Sequence, residues 1–169
     1  MIDFMVLSAP RSGSAWAANW LTTDKSLCFH GLQRTVHHTQ WDTLTSERVL
    51  GVSDPSVCFF SEWLNKHPAR KVILHRDKAE IQASLGAEEP IADESWGLDK
   101  INGMHVHWRE LFGIPKRIYE FLLQQEFDAT RHRILVDLQV NSMFLRQKLD
   151  PTLYRRLAAE VKRELSCEN

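Results

Sequence analysis

Cysteine is scarce in this sequence: Cys28, Cys58 and Cys167 are the whole complement, odd in number and widely spaced. That pattern excludes a disulfide framework and a paired-cysteine zinc site, and it points to a reducing cytoplasm. Long hydrophobic runs are lacking as well. Nowhere do about eighteen apolar residues follow one another, so no membrane-spanning helix is expected. The apolar run at residues 4–7, preceded by Asp3 and no basic leader, reads as a buried strand and not as a targeting signal. An excess of charge of one sign is missing too, since 21 Lys and Arg face 22 Asp and Glu for a net charge of -1. Chains that grip nucleic acid or anionic membranes carry a global charge footprint, so neither partner is expected and any anion site must be local. No internal repeat, low-complexity tract or interdomain linker interrupts the chain.

What is present is the balance of a globular domain: 169 residues, 43% hydrophobic and 25% charged. A chain of this length buries roughly 70% of its unfolded surface in one core, so a single domain over residues 1–169 needs no covalent or metal staple. Residues 1–8 read as a strand, followed by a Pro, Gly and Ser loop and an apolar helix through Leu21. Strands are expected again at 26–30, 49–53 and 71–75. Asp54-Pro55 closes the third, and Val57, Phe60, Trp63 and Leu64 then fall at helical spacing. Asp77 suits the cap of a helix over 78–85, ended by Gly86. Residues 87–97 read as an exposed loop, 98–112 as a helix, Pro115 as the first turn of another, and 133–138 as the last strand. Asp150-Pro151 and the stripe Leu153, Leu157, Val161 and Leu165 predict a terminal amphipathic helix. Alternating strands and helices imply a three-layer α/β fold with a central, mostly parallel sheet of about four to five strands. Ligands of such sheets bind beyond the carboxyl ends of the strands, where the loops after Ser8, His30, Ser53 and His75 meet.

The first loop, Pro10-Arg11-Ser12-Gly13-Ser14-Ala15-Trp16, has the composition of an anion cradle. Gly13 lets backbone approach closely, Ser12 and Ser14 add hydroxyl donors, and Arg11 brings a permanent positive fork. The Gly-Lys-Ser/Thr ending of nucleoside-triphosphate hydrolases is absent. Pro10, Arg11, Ser12, Gly13 and Trp16 are instead in register with the 5′-phosphosulfate loop of the sulfotransferases, which the segment resembles. That family uses 3′-phosphoadenosine 5′-phosphosulfate (PAPS) as donor. A second motif is similar as well: Arg76-Asp77 after a strand, with Ser84 eight residues beyond the arginine, matches the family's 3′-phosphate-binding pattern. Val136-Asp137-Leu138 resembles a later strand of the family. The likeness runs from about Phe4 to Leu138.

The resemblance implies a P-loop, sulfotransferase-like topology and a sulfuryl transfer from PAPS to a hydroxyl or amine of a small-molecule or glycan acceptor. It implies donor contacts from Arg11, Ser12, Gly13, Ser14, Ala15 and Trp16 on the 5′ side, Trp16 against adenine, and from Arg76 and Ser84 on the 3′ side. Arg11 cannot readily release a proton, so its work is electrostatic. Core packing is the other reading of Trp16. For the general base, His30 at the end of the second strand comes first, with Asp54 and His75 as alternatives. His37 and His38 read as solvated loop residues. On a helix His105 and His107 face apart, and no metal site is expected. Departures from the family pattern are Ala15 in place of a hydroxyl residue, Lys78 in place of a proline, and the lack of a C-terminal Arg-Lys-Gly segment. Two other functions fit such a loop: a divergent nucleotide or small-molecule kinase, which needs magnesium and a nearby lysine, and a nucleotide-binding module without catalysis.

Overall fold

Five parallel strands set the architecture in a computed structural model that describes residues 1–85 and 96–137. They are β1 (Phe4–Ser8), β2 (Ser26–His30), β3 (Val49–Ser53), β4 (Arg70–His75) and β5 (Met104–His107), in the order β2-β3-β1-β4-β5. The helices are α1 (Ser14–Trp20), α2 (Ser61–Lys66), α3 (Lys78–Leu85), α4 (Glu110–Gly113), α5 (Pro115–Leu123) and α6 (Ala129–Asp137), with short 3-10 turns between them. No helix among the described residues is long and apolar enough to cross a membrane.

β1 lies at the centre, paired with β3 and β4, and all five of its residues are buried. A strand covered on both faces must be apolar throughout, which is why residues 4–7 form an unbroken run. Phe4 and Val6 face one layer, where Trp16 and Trp20 of α1, Leu111 of α4, Ile118 and Leu122 of α5 and Leu135 of α6 pack. Met5 and Leu7 face the other, against Trp41, Leu64 of α2, Ile81 of α3 and Ile101. The result is a three-layer α/β fold. Between β1 and β3 the Phe4 ring lies over Gly51, so close that a Cβ added there would meet it at 2.0 Å. Only glycine fits under that ring.

Two sequence expectations are corrected. Residues 98–112 do not form a helix: a 3-10 turn at Leu98–Lys100, β5 and α4 replace it. Within β5 the exposed His105 alternates with the buried Val106, a period of two that is too short to stand out beside the Leu98, Ile101 and Leu111 spacing. Residues 133–137 are not a strand but the end of α6, which buries His132, Ile134 and Leu135. Its start is marked by Asp128, whose carboxylate accepts from the Arg131 N–H at 2.8 Å, an N-cap signal overridden by the β-prone run Ile134-Leu135-Val136. The expected helix after Asp150, the stop at Gly86, most of the 87–97 loop, and Leu138 lie outside the described residues.

Candidate functional site

The chain leaves β1 for β2, returns on β3, and then passes over β1 to reach β4 on its other side. The carboxyl end of β1 is thus the place where the strand order reverses, the position at which open parallel sheets bind ligands. A cavity of about 950 Å³ opens there.

The loop 9–13 forms its floor. Arg11 (φ 62°) and Gly13 (φ 87°) both adopt the left-handed conformation, the second at no cost and the first at a cost on the order of 1–2 kcal/mol. Two long-range hydrogen bonds hold that strained residue. The Arg11 guanidinium donates from Nη2 to the Ser84 carbonyl at 3.0 Å, and Arg76 donates from Nη1 to the Arg11 carbonyl. The Arg11 loop and the segment from Arg76 to Ser84, more than sixty residues apart, are therefore bonded directly to each other.

Arg11, Gly13, Ser14 and Ala15 line the cavity from the loop, and Arg76 and Ser84 from the start and end of the α3 segment. α1 has only seven residues, so its dipole is short and the positive charge at this end of the cavity comes mainly from the two guanidinium groups. Ser12 is not at the surface of the cavity: it is fully buried, and its hydroxyl donates to the Pro10 carbonyl at 3.4 Å, bracing the loop from below. Trp16 presents only part of its ring to the cavity. It is 7% exposed, its indole N–H donates to the Leu135 carbonyl at 3.3 Å, and Trp20, Phe112 and His132 surround the ring. Packing of α1 against α6 holds the ring, whose remaining exposed part lines the cavity.

Arg76 is positioned from three sides. Its Nε donates to Glu80 at 3.4 Å, one helical turn on, and its guanidinium carbon lies 4.4 Å from the centroid of the Trp108 ring. Glu80 also accepts from the Trp108 indole N–H at 2.8 Å and from Arg109. The Trp108 hydrogen bond first, and then the two arginines, hold the Glu80 carboxyl below its ordinary pKa. A charge-paired Glu80 thus aims Arg76 without leaving an unpaired negative charge beside it.

His30 and Asp54 also line the cavity. The His30 ring places Nε2 at 3.4 Å from the Ser14 hydroxyl. Desolvation by the surrounding walls lowers its pKa below the usual histidine value; the Asp54 carboxylate opposes that shift and Arg34 adds to it. Asp54 is 2% exposed and spent on structure, accepting from the Gln33 N–H at 2.8 Å, the Ser56 N–H at 3.0 Å and the Ser56 hydroxyl at 2.6 Å. His75 stands apart from the cavity, hydrogen-bonded to His105 at 2.8 Å. Contrary to the expectation of a solvated pair, His38 is buried, its ring 4.1 Å from that of Phe60.

Sequence reasoning missed the rest of the lining. Phe59 and Trp96, with ring centroids 5.3 Å apart, form an apolar lip, and Trp108 and Phe112 a second aromatic wall. These four side chains come from three segments, with only Trp108 and Phe112 near each other in sequence, so no local motif announces the lining as a whole. The signal available was for Glu80 alone, four residues after Arg76 on a helix. The chain matches no protein-family model and no curated protein.

Proposed function

We propose that the chain is a PAPS-dependent sulfotransferase, with a P-loop, sulfotransferase-like topology, acting on a hydroxyl or amine of a small-molecule or glycan acceptor. The observation that carries this reading is the mutual bonding of the two anion motifs: Arg11 to the Ser84 carbonyl and Arg76 to the Arg11 carbonyl, both at one cavity. Two cationic groups held in fixed relation suit a nucleotide bearing two separated phosphates better than one with a single anionic tail.

The roles follow from charge. Gly13 and Ser14 bind the 5′-phosphosulfate, and Arg76 with Ser84 takes the 3′-phosphate. Arg11 stabilises the negative charge that grows on the leaving phosphate oxygen as its bond to sulfur breaks. His30 accepts the proton of the acceptor group as the new bond to sulfur forms, and its lowered pKa keeps it unprotonated and ready at neutral pH. Phe59 and Trp96 give the acceptor an apolar lip open to solvent. A cytoplasmic setting belongs to the same reading, supported by the buried, unpaired Cys28 and Cys58. A kinase is disfavoured, because no lysine is among the described residues that line the cavity.

The test is transfer of labelled sulfuryl groups from PAPS to a panel of phenols, sugars and amines. Transfer that disappears in Arg11→Ala supports the proposal. Magnesium-dependent consumption of ATP without sulfuryl transfer contradicts it in favour of a kinase, and tight donor binding with no transfer to any acceptor contradicts it in favour of a non-catalytic module.

A further inference from the structure

On the sheet face that Leu98 and Ile101 pack against, the end of β4 carries a second cluster of chemistry-bearing side chains. His75 and His105 lie on adjacent hydrogen-bonded strands, in a register that pairs His75 with His107 and Ile73 with His105. Because 98–112 is not a helix, the two imidazoles come together across the ladder, with rings 5.1 Å apart and His75 Nε2 at 2.8 Å from His105 Nδ1. Asp99, on the 3-10 turn above them, brings a carboxylate oxygen to 3.9 Å from His75 Nδ1.

The tautomer of His105 follows from its second nitrogen. Nε2 lies 2.8 Å from the Ile101 carbonyl oxygen, which can only accept, so Nε2 carries the hydrogen and Nδ1 turns a lone pair toward His75. A ring N–H anchored on a backbone carbonyl, with the other nitrogen free to donate electrons, is the arrangement of a metal-ligating histidine. One ligand atom from each of His75, Asp99 and His105 lies within 4.8 Å of the others. Two ring nitrogens bound to one ion at about 2.0–2.1 Å sit roughly 2.9–3.4 Å apart, so the imidazoles need open by only a few tenths of an ångström, and the His75 hydrogen that bridges to His105 moves from Nε2 to Nδ1, freeing the Nε2 lone pair for the ion. Asp99, whose side chain is 96% exposed, is free to swing in.

We propose that His75, His105 and Asp99 form a binding site for a divalent transition-metal ion of the zinc class. Two neutral imidazoles and one carboxylate select such an ion over magnesium or calcium, which prefer all-oxygen shells. Three protein ligands leave at least one position open to water. His75 does not line the cavity but immediately precedes Arg76, so the ion braces the strand end that carries Arg76 and takes no part in the transfer step. A neighbouring group, Asp77, Glu80 and His107, is gathered as closely but is unsuited: Glu80 is already engaged by Arg76, Arg109 and Trp108, and the two guanidinium groups repel a cation.

Metal-stripped full-length protein is titrated with zinc chloride by calorimetry, and with cobalt chloride by visible absorption. One equivalent of saturable binding is expected, with a cobalt spectrum of nitrogen and oxygen ligation. Both His75→Ala and His105→Ala weaken binding at least about 10-fold, and Asp99→Asn weakens it to a smaller extent. His105 is an exposed strand residue, so its variant serves if His75→Ala does not fold. Zinc also raises the melting temperature of the wild type but not of His105→Ala, as expected for a ligand bound only by the native state. Absence of saturable zinc binding below about 100 μM, or stoichiometric binding unchanged in the histidine variants, overturns the site and leaves a plain histidine–histidine hydrogen bond. Neither result decides the proposed donor site, none of whose contacts come from His75, Asp99 or His105.

Discussion

Removing Arg76 separates the two halves of the candidate donor site. Its side chain is 16% exposed and held by Glu80, the Arg11 carbonyl and the face of Trp108, so the guanidinium is poised with little freedom left to lose on binding. A hydrogen bond from such a group to a phosphate contributes about 1.5–3 kcal/mol, which converts to about 10- to 150-fold in affinity. The loss in Arg76→Ala is not inflated by an orphaned carboxylate, because Glu80 keeps its bonds to Trp108 and Arg109. Calorimetric titration with 3′-phosphoadenosine 5′-phosphate is expected to show that full loss, whereas adenosine 5′-phosphate, which lacks the 3′-phosphate, changes only a few-fold. Arg76→Lys retains the charge without the planar fork and falls between. An equal loss for both nucleotides refutes the reasoning: Arg76 then acts only by holding the Arg11 loop in place.

Arg11→Ala is expected to lower kcat by about 100- to 1000-fold while changing the dissociation constant of 3′-phosphoadenosine 5′-phosphate less than tenfold, since charge on the leaving oxygen develops only during transfer. Steady-state kinetics beside a binding titration check it, and a loss confined to binding contradicts it. His30→Ala is expected to reduce kcat by about 10²- to 10⁴-fold. A base works unprotonated, and the lowered His30 pKa keeps it so to more acid pH; the acid limb of kcat/KM therefore lies below pH ~6.5 in the wild type, and a limb above that value contradicts the assignment. Gly51→Ala drives a methyl group into the Phe4 ring, at a cost of about 1–3 kcal/mol or more. Thermal unfolding should shift down by about 2–4 °C per kcal/mol, and an unchanged midpoint would show that the ring moves aside freely.

Most of the sheet and about half of the candidate site were legible in the sequence. β1 to β4 were legible because buried parallel strands are short apolar runs bounded by Gly, Pro and charge, a pattern that needs no partner to be seen. β5 was hidden, since four residues of alternating His and apolar character take their identity from pairing with β4. α6 was misread for the converse reason: Ile134, Leu135 and Val136 favour a strand, and only packing of His132 and Leu135 beside Trp16 and Trp20 decides for a helix. In the site, Arg11, Ser14, Arg76 and Ser84 were legible as local motifs. That Arg76 grips the Arg11 carbonyl, that Glu80 and Trp108 aim it, and that Ser12 is buried beneath the loop are long-range facts that no spacing encodes.

The central claim, that one cavity reads both phosphates of a PAPS-like nucleotide, is tested most directly by a crystal structure of the protein soaked with 3′-phosphoadenosine 5′-phosphate. The 5′-phosphate is expected within hydrogen-bond distance of the Gly13 and Ser14 backbone N–H groups and the Arg11 guanidinium, and the 3′-phosphate on Arg76 and the Ser84 hydroxyl. A nucleotide bound elsewhere, a 3′-phosphate left in solvent, or an empty cavity at saturating concentration would contradict the claim.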